Sequence, residues 1–496
     1  MFLMLFLTLS WNIASFSQPM NAKIKLPKII PPSPEVAQLA KVGNVSAGLH
    51  TGSANLSIPL HTINAGNIKW NIAISYVSNG IKVDEIPTRV GLGWNLVAGG
   101  VVSRVIHDDP DGTAPYLTPP SNMYAQNAEM LQYLKNASTL LYDTEWDEYS
   151  YSFNGISGKF FLNSNGDGYC IPHNNMKVKV FGFETSTKTI QITSGEGTVY
   201  SFGYGSIEKT RSVQAHGGDG EGVSASGPHE TAWFLTEVKN ADGDKIVFNY
   251  SPIFFGATIS PYQTMIKPYI SQPNCGETSS CNYSVQTGTN KITYDSYYLT
   301  NISADDGTKI DFTYDPLQDP SSDKDNQLKK ITVSSSGAYF NSGTLKKYKF
   351  FYYKPSFANS VPNYRFFLTE LRTVDPLVAD EDNVANYIAH KFEYIEMDNM
   401  VPRLSYNQDY FGYSNGQTNS YFVPQTPSYN GQVINPLLGG NRSADPTGLY
   451  QQKGLVKKIT YPQGGYEELK KCKCKNAKLD ACRLYESYLL SFFLHF

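Results

Sequence analysis

The sequence predicts a mainly β protein. Antiparallel β-hairpin repeats form a long curved sheet, after a β-rich N-terminal domain and one short helical insertion. Three observations predict this. The 496 residues include 35 Tyr, 26 Phe and 40 Gly, with only 17% charged side chains. Aromatic and β-branched residues suit half-buried pleated surfaces, and Gly, Asn and Asp supply turns. Short alternating apolar runs punctuated by glycine fill most of the chain. Finally, there is an internal repeat. Leu235-Thr236-Glu237-Val238, Asp242-Gly243 and Ile246-Val247-Phe248-Asn249-Tyr250 recur as Leu299-Thr300-Asn301-Ile302, Asp306-Gly307 and Ile310-Asp311-Phe312-Thr313-Tyr314. The offsets in the two copies are identical.

The elements follow in order. Residues 1–18 are expected to be an export signal. Phe2 to Ile13 is mostly apolar but too short for the about 20 residues of a bilayer span. Ser15-Phe16-Ser17 places small residues where a signal peptidase inspects, with cleavage after Ser17. No Lys or Arg precedes Lys23, so the competing reading is a buried first strand. The signal implies secretion or display at the cell surface. No other apolar run has transmembrane length.

Residues 19–34, rich in Pro and Lys, are expected to be an extended linker. Ser33-Pro34-Glu35 starts a short helix, with Ser33 as cap, Pro34 at the first helical position and Gly43 at its end. The N-terminal β domain covers 35–120 and contains the Gly91-Leu92-Gly93-Trp94 corner. Strands are expected at Asn55–Leu60 and Ile72–Tyr76. The helical insertion covers 121–148, with a helix from about Asn122 to Leu141 whose Met130, Leu134, Ala137 and Leu141 line one face. A hairpin region follows at 149–230. It has a turn at Asn154-Gly155-Ile156-Ser157-Gly158 and a mobile Gly/Ser-rich loop from Ser212 to Glu230. Hairpin repeats fill 231–466, with weaker copies starting at Leu328, Leu368 and Leu455. One hairpin cannot bury its apolar face alone, but stacked hairpins can. The tail at 467–496 breaks the pattern.

Charge and cysteine content exclude several classes. The formal net charge is −3 and no polybasic run exists, so neither nucleic acid nor an anionic membrane surface is an expected partner. Six cysteines are too sparse for a disulfide scaffold. Cys275 and Cys281 bracket a polar loop that a disulfide would close. Cys472, Cys474 and Cys482 crowd the tail without a fourth ligand for zinc.

No catalytic, cofactor-binding or metal-binding residue is assigned, and no enzyme activity is expected. His50, His61 and His107 lack metal-ligand spacing. Asp108, Asp109 and Asp111 with Gly112 make either a calcium turn or a plain Asx turn, and the acidic loop at Asp375, Asp380, Glu381 and Asp382 poses the same choice. Glu145, Asp147 and Glu148 beside Trp146 are suited to acid–base work or to a solvated loop. Gly203-Tyr204-Gly205 lacks the helix that a dinucleotide site needs.

Two blocks and the repeat carry a resemblance. The first block is Thr51-Gly52-Ser53-Ala54-Asn55-Leu56-Ser57-Ile58-Pro59-Leu60, Ile74-Ser75-Tyr76, Gly91-Leu92-Gly93-Trp94-Asn95-Leu96, Gly99-Gly100 and Val102-Ser103-Arg104. The second is Gln408-Asp409-Tyr410-Phe411-Gly412-Tyr413-Ser414-Asn415-Gly416. The last repeat ends in Lys458-Ile459-Thr460-Tyr461-Pro462-Gln463-Gly464-Gly465-Tyr466. In this order they resemble Rhs/YD-repeat proteins and, more distantly, Tc-toxin B components, over about residues 31–466. The resemblance implies repeats that spiral into a hollow shell around a variable C-terminal polypeptide, often a toxin, released by a self-cleaving core segment. Both would lie beyond the matched region. After Tyr466 the repeat pattern breaks, and the tail is read as a truncation or frameshift, the alternative being a native C-terminal helix. Asp445-Pro446-Thr447-Gly448-Leu449 resembles the cleavage element but is read as a turn, because another repeat follows it.

The expected function is a non-enzymatic structural shell or scaffold, the N-terminal part of an Rhs-type polymorphic toxin or surface protein. Its expected partners are its own further repeats and cargo, and other surface or toxin-complex proteins. The alternatives are an adhesin or glycan-binding surface protein, which exposed tyrosine rows would favour, and a secreted hydrolase, which a pocket holding Asp147 or Glu145 beside a second carboxylate would favour.

Overall fold

The computed structural model describes residues 29–37, 54–78, 80–107, 109–112, 116–138, 142–183, 185, 187–215, 224–266, 284–316, 326–336, 343–355, 365–424 and 439–469. The signal segment, Gly43, His50, Asp108, Leu141, Cys275, Cys281, the tail cysteines and most of the atypical tail lie outside these residues. The fold is mainly β, with an antiparallel sheet of 18 strands and a second sheet of three. No described helix is long and apolar enough to cross a membrane.

The smaller sheet contains β2 (Ala54–Ala65), β3 (Ile68–Ser78) and β4 (Trp94–Val97). Ile58, Leu60, Ile63, Trp70, Ile72, Ile74 and Tyr76 bury one of its faces in the core shared with the large sheet.

Eight strands form a closed ring. β5 (Gly100–His107), β6 (Glu148–Phe153), β7 (Ile156–Leu162), β8 (Asp167–Ile171), β9 (Lys177–Phe181), β10 (Thr189–Thr193), β11 (Val199–Ala215) and β12 (Ser224–Lys239) each pair with the next. Ala232, Trp233 and Phe234 of β12 then pair with Ser103, Val102 and Val101 of β5, which closes the barrel. Closure removes free sheet edges, and small barrels are filled by their own side chains. Here the filling is aromatic: Tyr149 lies 5.0 Å from Phe160, and Phe153 lies 4.4 Å from Tyr200. The β6–β7 turn is just Asn154 and Gly155, with φ of 45° and 80°, as a two-residue hairpin requires.

β1 (Ile29–Ile30) pairs with His107 and Ile106 on β5. The end of the expected linker is therefore extended but held, because β12 pairs only with Val101, Val102 and Ser103 of β5 and leaves Ile106 and His107 to these two apolar residues. Residues 34–37 are helical, and Ser33 caps them as expected: its carbonyl accepts from Ala37 N at 2.9 Å and its hydroxyl from Val36 N at 3.4 Å.

Beyond β12 the sheet continues as an open meander: β13 (Lys245–Ile266), β14 (Ser284–Ala304), β15 (Thr308–Pro316), β16 (Asn326–Ser335), β17 (Gly343–Tyr353), β18 (Phe367–Val374), β19 (Tyr387–Tyr394), β20 (Val456–Thr460) and β21 (Tyr466–Glu468). The two strong repeats adopt the same register, Val238 opposite Ile246 and Ile302 opposite Ile310.

One geometric unit recurs in four copies. Tyr250, Tyr314, Tyr352 and Tyr394 donate to the carbonyls of Leu235, Leu299, Leu328 and Leu368, at 2.8, 2.7, 2.6 and 2.5 Å. Each tyrosine bonds back to the leucine that opens its own copy. The first three also stand opposite the leucine that opens the next copy, Leu299, Leu328 and Leu368, and Tyr394 stands opposite Val456, one residue after Leu455. A register shift falls beside every one of these pairs. The extra residue of a bulge leaves its surroundings short of ladder partners. Thr300 and Thr369 occupy such positions, and their hydroxyls bond to the carbonyls of Asn249 and Phe351, at 3.0 and 3.1 Å. Leucine, bulge and tyrosine thus form one row from β12 to β20. Burial pushes all four phenols upward in pKa, so they remain neutral donors.

Two expectations differ from the structure. The helix spans only Ala128–Ala137, capped by Asn127, and of the expected face Met130 is buried while Leu134 is 54% exposed. β5 and β6 pair with each other across the insertion, and Leu131 and Leu134 of the helix stay exposed. The Gly/Ser-rich stretch is strand as far as Ala215 and again from Ser224, with Ser212 opposite Ser226. β11 also pairs with Thr289–Asp295 of β14, and this second partner sustains the arm.

Candidate functional site

Two of the carboxylates singled out in the sequence meet. Asp111 follows β5 and Asp147 precedes β6. Asp111 N donates to Asp147 Oδ2 at 3.0 Å, and Asp147 N donates to Asp111 Oδ1 at 3.3 Å. His107 N donates to Asp147 Oδ1 at 2.9 Å. Arg104 Nη1 lies 3.5 Å from Asp147 Oδ2, and Arg104 Nε donates to Glu230 O at 2.9 Å. The guanidinium sits 5.4 Å from the Trp233 ring and 5.9 Å from that of Tyr149. Burial pushes both carboxyls up in pKa, and the neighbouring Asp147 charge helps lift Asp111 to about 8. Asp111 Oδ2 is buried without a hydrogen-bond partner. A proton on Asp111 leaves Asp147 as the ion that pairs with Arg104.

This arrangement is a lock. Asp111 and Asp147 are 1% and 0% exposed, and their polar atoms bind backbone from the two ends of the insertion. The other members of the acidic loop stand apart. Glu148 pairs with Lys159 at 2.7 Å, Glu145 is 3.8 Å from His107 Nδ1, and Trp146 stacks on Tyr116 at 4.4 Å.

A second buried carboxyl ties the N-terminal segment down. Glu208 accepts from Ser33 N at 2.8 Å, Ser296 Oγ at 2.6 Å and Thr231 Oγ1 at 3.2 Å. Its pKa is raised by burial.

The acidic loop after β18 is also occupied. Glu381 lies 2.7 Å from Lys330 and 3.2 Å from Lys347, while Asp382 lies 2.7 Å from Lys349 and 3.3 Å from Arg372. Asp375 holds an Asx turn, accepting from Leu377 N at 2.9 Å. These partners favour the plain turn over calcium, and no group of three or more candidate metal ligands occurs among the described residues. Asp445 accepts from Thr447 N and Tyr450 N at 2.8 and 3.0 Å, so that stretch is a turn.

The corner at Gly91-Leu92-Gly93-Trp94 docks on the tyrosine row. Leu92 N donates to Phe366 O and Leu328 N donates to Arg89 O, both at 2.9 Å. Trp94 packs 4.6 Å from Phe392 and 5.3 Å from Tyr76, and its indole N–H reaches Tyr394 Oη at 2.9 Å. Gly93 has φ of 77°, and an added Cβ there would lie 2.6 Å from the Tyr76 ring. Glycine is thus required both for the turn and for the close approach.

A pocket of about 140 Å³ lies beside the same row. Its walls come from Glu35 and Val36, the 88–90 loop, β4, the Asn154-Gly155 turn and Tyr297–Leu299 of β14. None of these residues was singled out as a site. Their positions are far apart in the chain, so no local motif links them. Asn95 and Arg104 belong to the first sequence block, but their burial was not legible there. Among the described residues the exposed tyrosines do not form a row: Tyr124, Tyr169, Tyr204, Tyr353, Tyr410, Tyr450 and Tyr466 lie on separate segments.

No family model and no curated protein matches the chain. Among solved structures, the crystal structure of TcdB2-TccC3 is similar over 75% of this chain and 17% of its own length, at 10% identity and TM-score 0.35. The Photorhabdus luminescens Tc holotoxin pore is similar over 70% of this chain and 16% of its own, at 10% identity and TM-score 0.37. The N-terminal domain of the effector protein SpvB from Salmonella typhimurium is similar over 64% of this chain and 98% of its own, at 11% identity and TM-score 0.28. The chain spans less than a fifth of the length of the toxin chains it matches.

Proposed function

We propose that the chain is a non-enzymatic scaffold, secreted or displayed at the cell surface. It is read as the N-terminal part of an Rhs-type shell that encloses or displays a C-terminal polypeptide. One observation carries this reading: the row in which Tyr250, Tyr314, Tyr352 and Tyr394 each clamp the leucine opening their own copy. Each copy also sets the register of the next, so the geometry extends by adding hairpins and needs no new design. The barrel and the Gly91–Trp94 corner anchor the start of that growth. The sequence resemblance supports the same reading, and so does the burial of Asp111 and Asp147, which leaves no room for a substrate between them.

The test is to read the locus beyond the codon for Phe496 in every frame. The expected finding is further hairpin copies with the Leu–Tyr spacing, followed by a variable segment. Finding no such copies in any frame would count against the shell and leave a free-standing scaffold. Mass spectrometry of protein recovered from culture medium tests export, with a mature N-terminus after Ser17 expected.

A further inference from the structure

The outer face of β16, β17 and β18 carries charge that the scaffold does not require. Lys330 stands opposite Lys349, and Lys349 stands opposite Arg372. Like charges directly opposite one another destabilise a sheet. Lys347 lies two residues before Lys349 and so shares this face. The other face of the same strands is the apolar one, with Ile331, Tyr348, Phe350 and Leu371 in the core. Arg372 is also held in place. Its guanidinium lies 3.9 Å from the centre of the Phe351 ring and 4.1 Å from that of Tyr387, and its Nε donates to Glu370 Oε1 at 3.0 Å. A row of this kind costs stability unless an anion meets it.

The chain supplies that anion from its own loop. Glu381 lies 2.7 Å from Lys330, 3.2 Å from Lys347 and 3.8 Å from Lys349, while Asp382 lies 2.7 Å from Lys349 and 3.3 Å from Arg372. The hydrogen bond from Lys330, with Lys347 beside it, holds the Glu381 carboxyl below its usual range. Glu381 is half-buried, and every other residue of 379–385 is exposed, Val384 by 76%. The loop's other hydrogen bonds run within it, among them Asp382 N to Asp380 Oδ1, Ala385 N to Asn383 Oδ1 and Asn386 Nδ2 to Asp380 O. Two acidic side chains thus fasten this stretch to the sheet. Ion pairs near the surface are individually weak and are screened by salt, so another anion can take their place. We propose that the row of Lys330, Lys347, Lys349 and Arg372 is a binding surface for an acidic segment of another polypeptide, and that 379–385 is its built-in competitor. The chemistry of the occupant follows from the one already seated there, two consecutive carboxylates that divide the four cations between them. Because the loop is tethered, its effective concentration at the row is high, and an incoming segment binds weakly until the loop is removed.

The experiment uses the full chain and fluorescence anisotropy at low salt. The probe is a fluorescein-labelled peptide of repeated Glu-Asp-Gly, with a peptide of repeated Gln-Asn-Gly as the neutral control. The parent is expected to bind the acidic peptide with a Kd on the order of 1 mM, and the bound peptide to raise amide exchange across 379–385. Glu381→Gln with Asp382→Asn removes the competitor and is expected to tighten binding by about tenfold or more. Adding Lys330→Ala and Lys349→Ala to that protein is expected to abolish the gain. Glu129→Gln with Glu196→Gln makes the same change in net charge at two exposed positions on other elements and is expected to leave the parent's affinity unchanged. An equal gain from this control pair overturns the proposal, because net charge alone then explains it. So does a folded Glu381→Gln/Asp382→Asn protein without a gain, or a gain that survives the loss of Lys330 and Lys349. Absence of saturable binding by the parent, or parent binding that leaves exchange at 379–385 unchanged, overturns it as well. Binding of dextran sulfate without binding of the peptide assigns the row to a sulfated glycan and overturns the acidic polypeptide.

Discussion

The indole N–H of Trp94 donates to the hydroxyl of Tyr394 at 2.9 Å, and the same hydroxyl donates onward to the carbonyl of Leu368. A glycine-flanked corner from the first block of the chain is thereby fixed to the fourth clamp of the repeat row.

Trp94→Ala should destabilise the protein by about 3–5 kcal/mol, because a fully buried indole leaves a cavity between Phe392 and Tyr76. Trp94→Phe should lose far less, about 1 kcal/mol for the hydrogen bond plus a smaller void. Denaturant midpoints measure both. A Trp94→Ala protein with an unchanged midpoint would contradict the packing described for the corner.

Tyr314→Phe should cost about 1–3 kcal/mol by stranding the Leu299 carbonyl. Tyr250→Phe and Tyr352→Phe should behave alike. Tyr353→Phe is the control, because its exposed hydroxyl bonds Asp398 at the surface and should change stability by less than about 0.5 kcal/mol. Equal effects at Tyr352 and Tyr353 would show that the row has no special weight.

Asp111 sets a pH dependence. Its pKa rises from 3.8 in the unfolded chain to about 8 in the fold, so the folded state retains a proton that the unfolded state has lost. Stability from this group is complete below 3.8 and is lost as pH climbs toward about 8. Asp111→Asn mimics the neutral acid and cannot titrate. Its melting temperature should therefore fall less steeply than that of the parent between about pH 5 and 8. Parallel melting curves across that range would rule out a proton held on Asp111 in the fold.

Glu208→Ala removes the acceptor that holds Ser33, Ser296 and Thr231. The segment from Ile30 to Val36 should then open locally, with new protease cuts there at unchanged global melting or with a loss of about 1–3 kcal/mol. Limited proteolysis with mass mapping reads this directly. A cleavage pattern identical to the parent would show that β1, the Glu35–Arg89 pair and the packing of Val36 hold the segment without Glu208.

Much of this architecture was legible from the chain. The identical spacing of Leu235 to Tyr250 and of Leu299 to Tyr314 foretold two hairpins of one register, because turn chemistry and alternation are local properties. Asn154-Gly155 foretold a turn for the same reason. The helix was overstated, since its apolar spacing carries no information about whether a partner exists to cover Leu134.

Alternation in the sequence determined which residues face inward, and glycine with Asn or Asp determined where the chain reverses. Tertiary structure alone decided that β12 closes on β5, that Asp111 and Asp147 share a buried pocket of charge with Arg104, and that Asn95, Tyr297 and Glu35 line one cavity. The physical reason is range. Backbone propensity acts over a few residues, whereas sheet closure, desolvation of a carboxyl and the walls of a pocket depend on groups that only folding brings together.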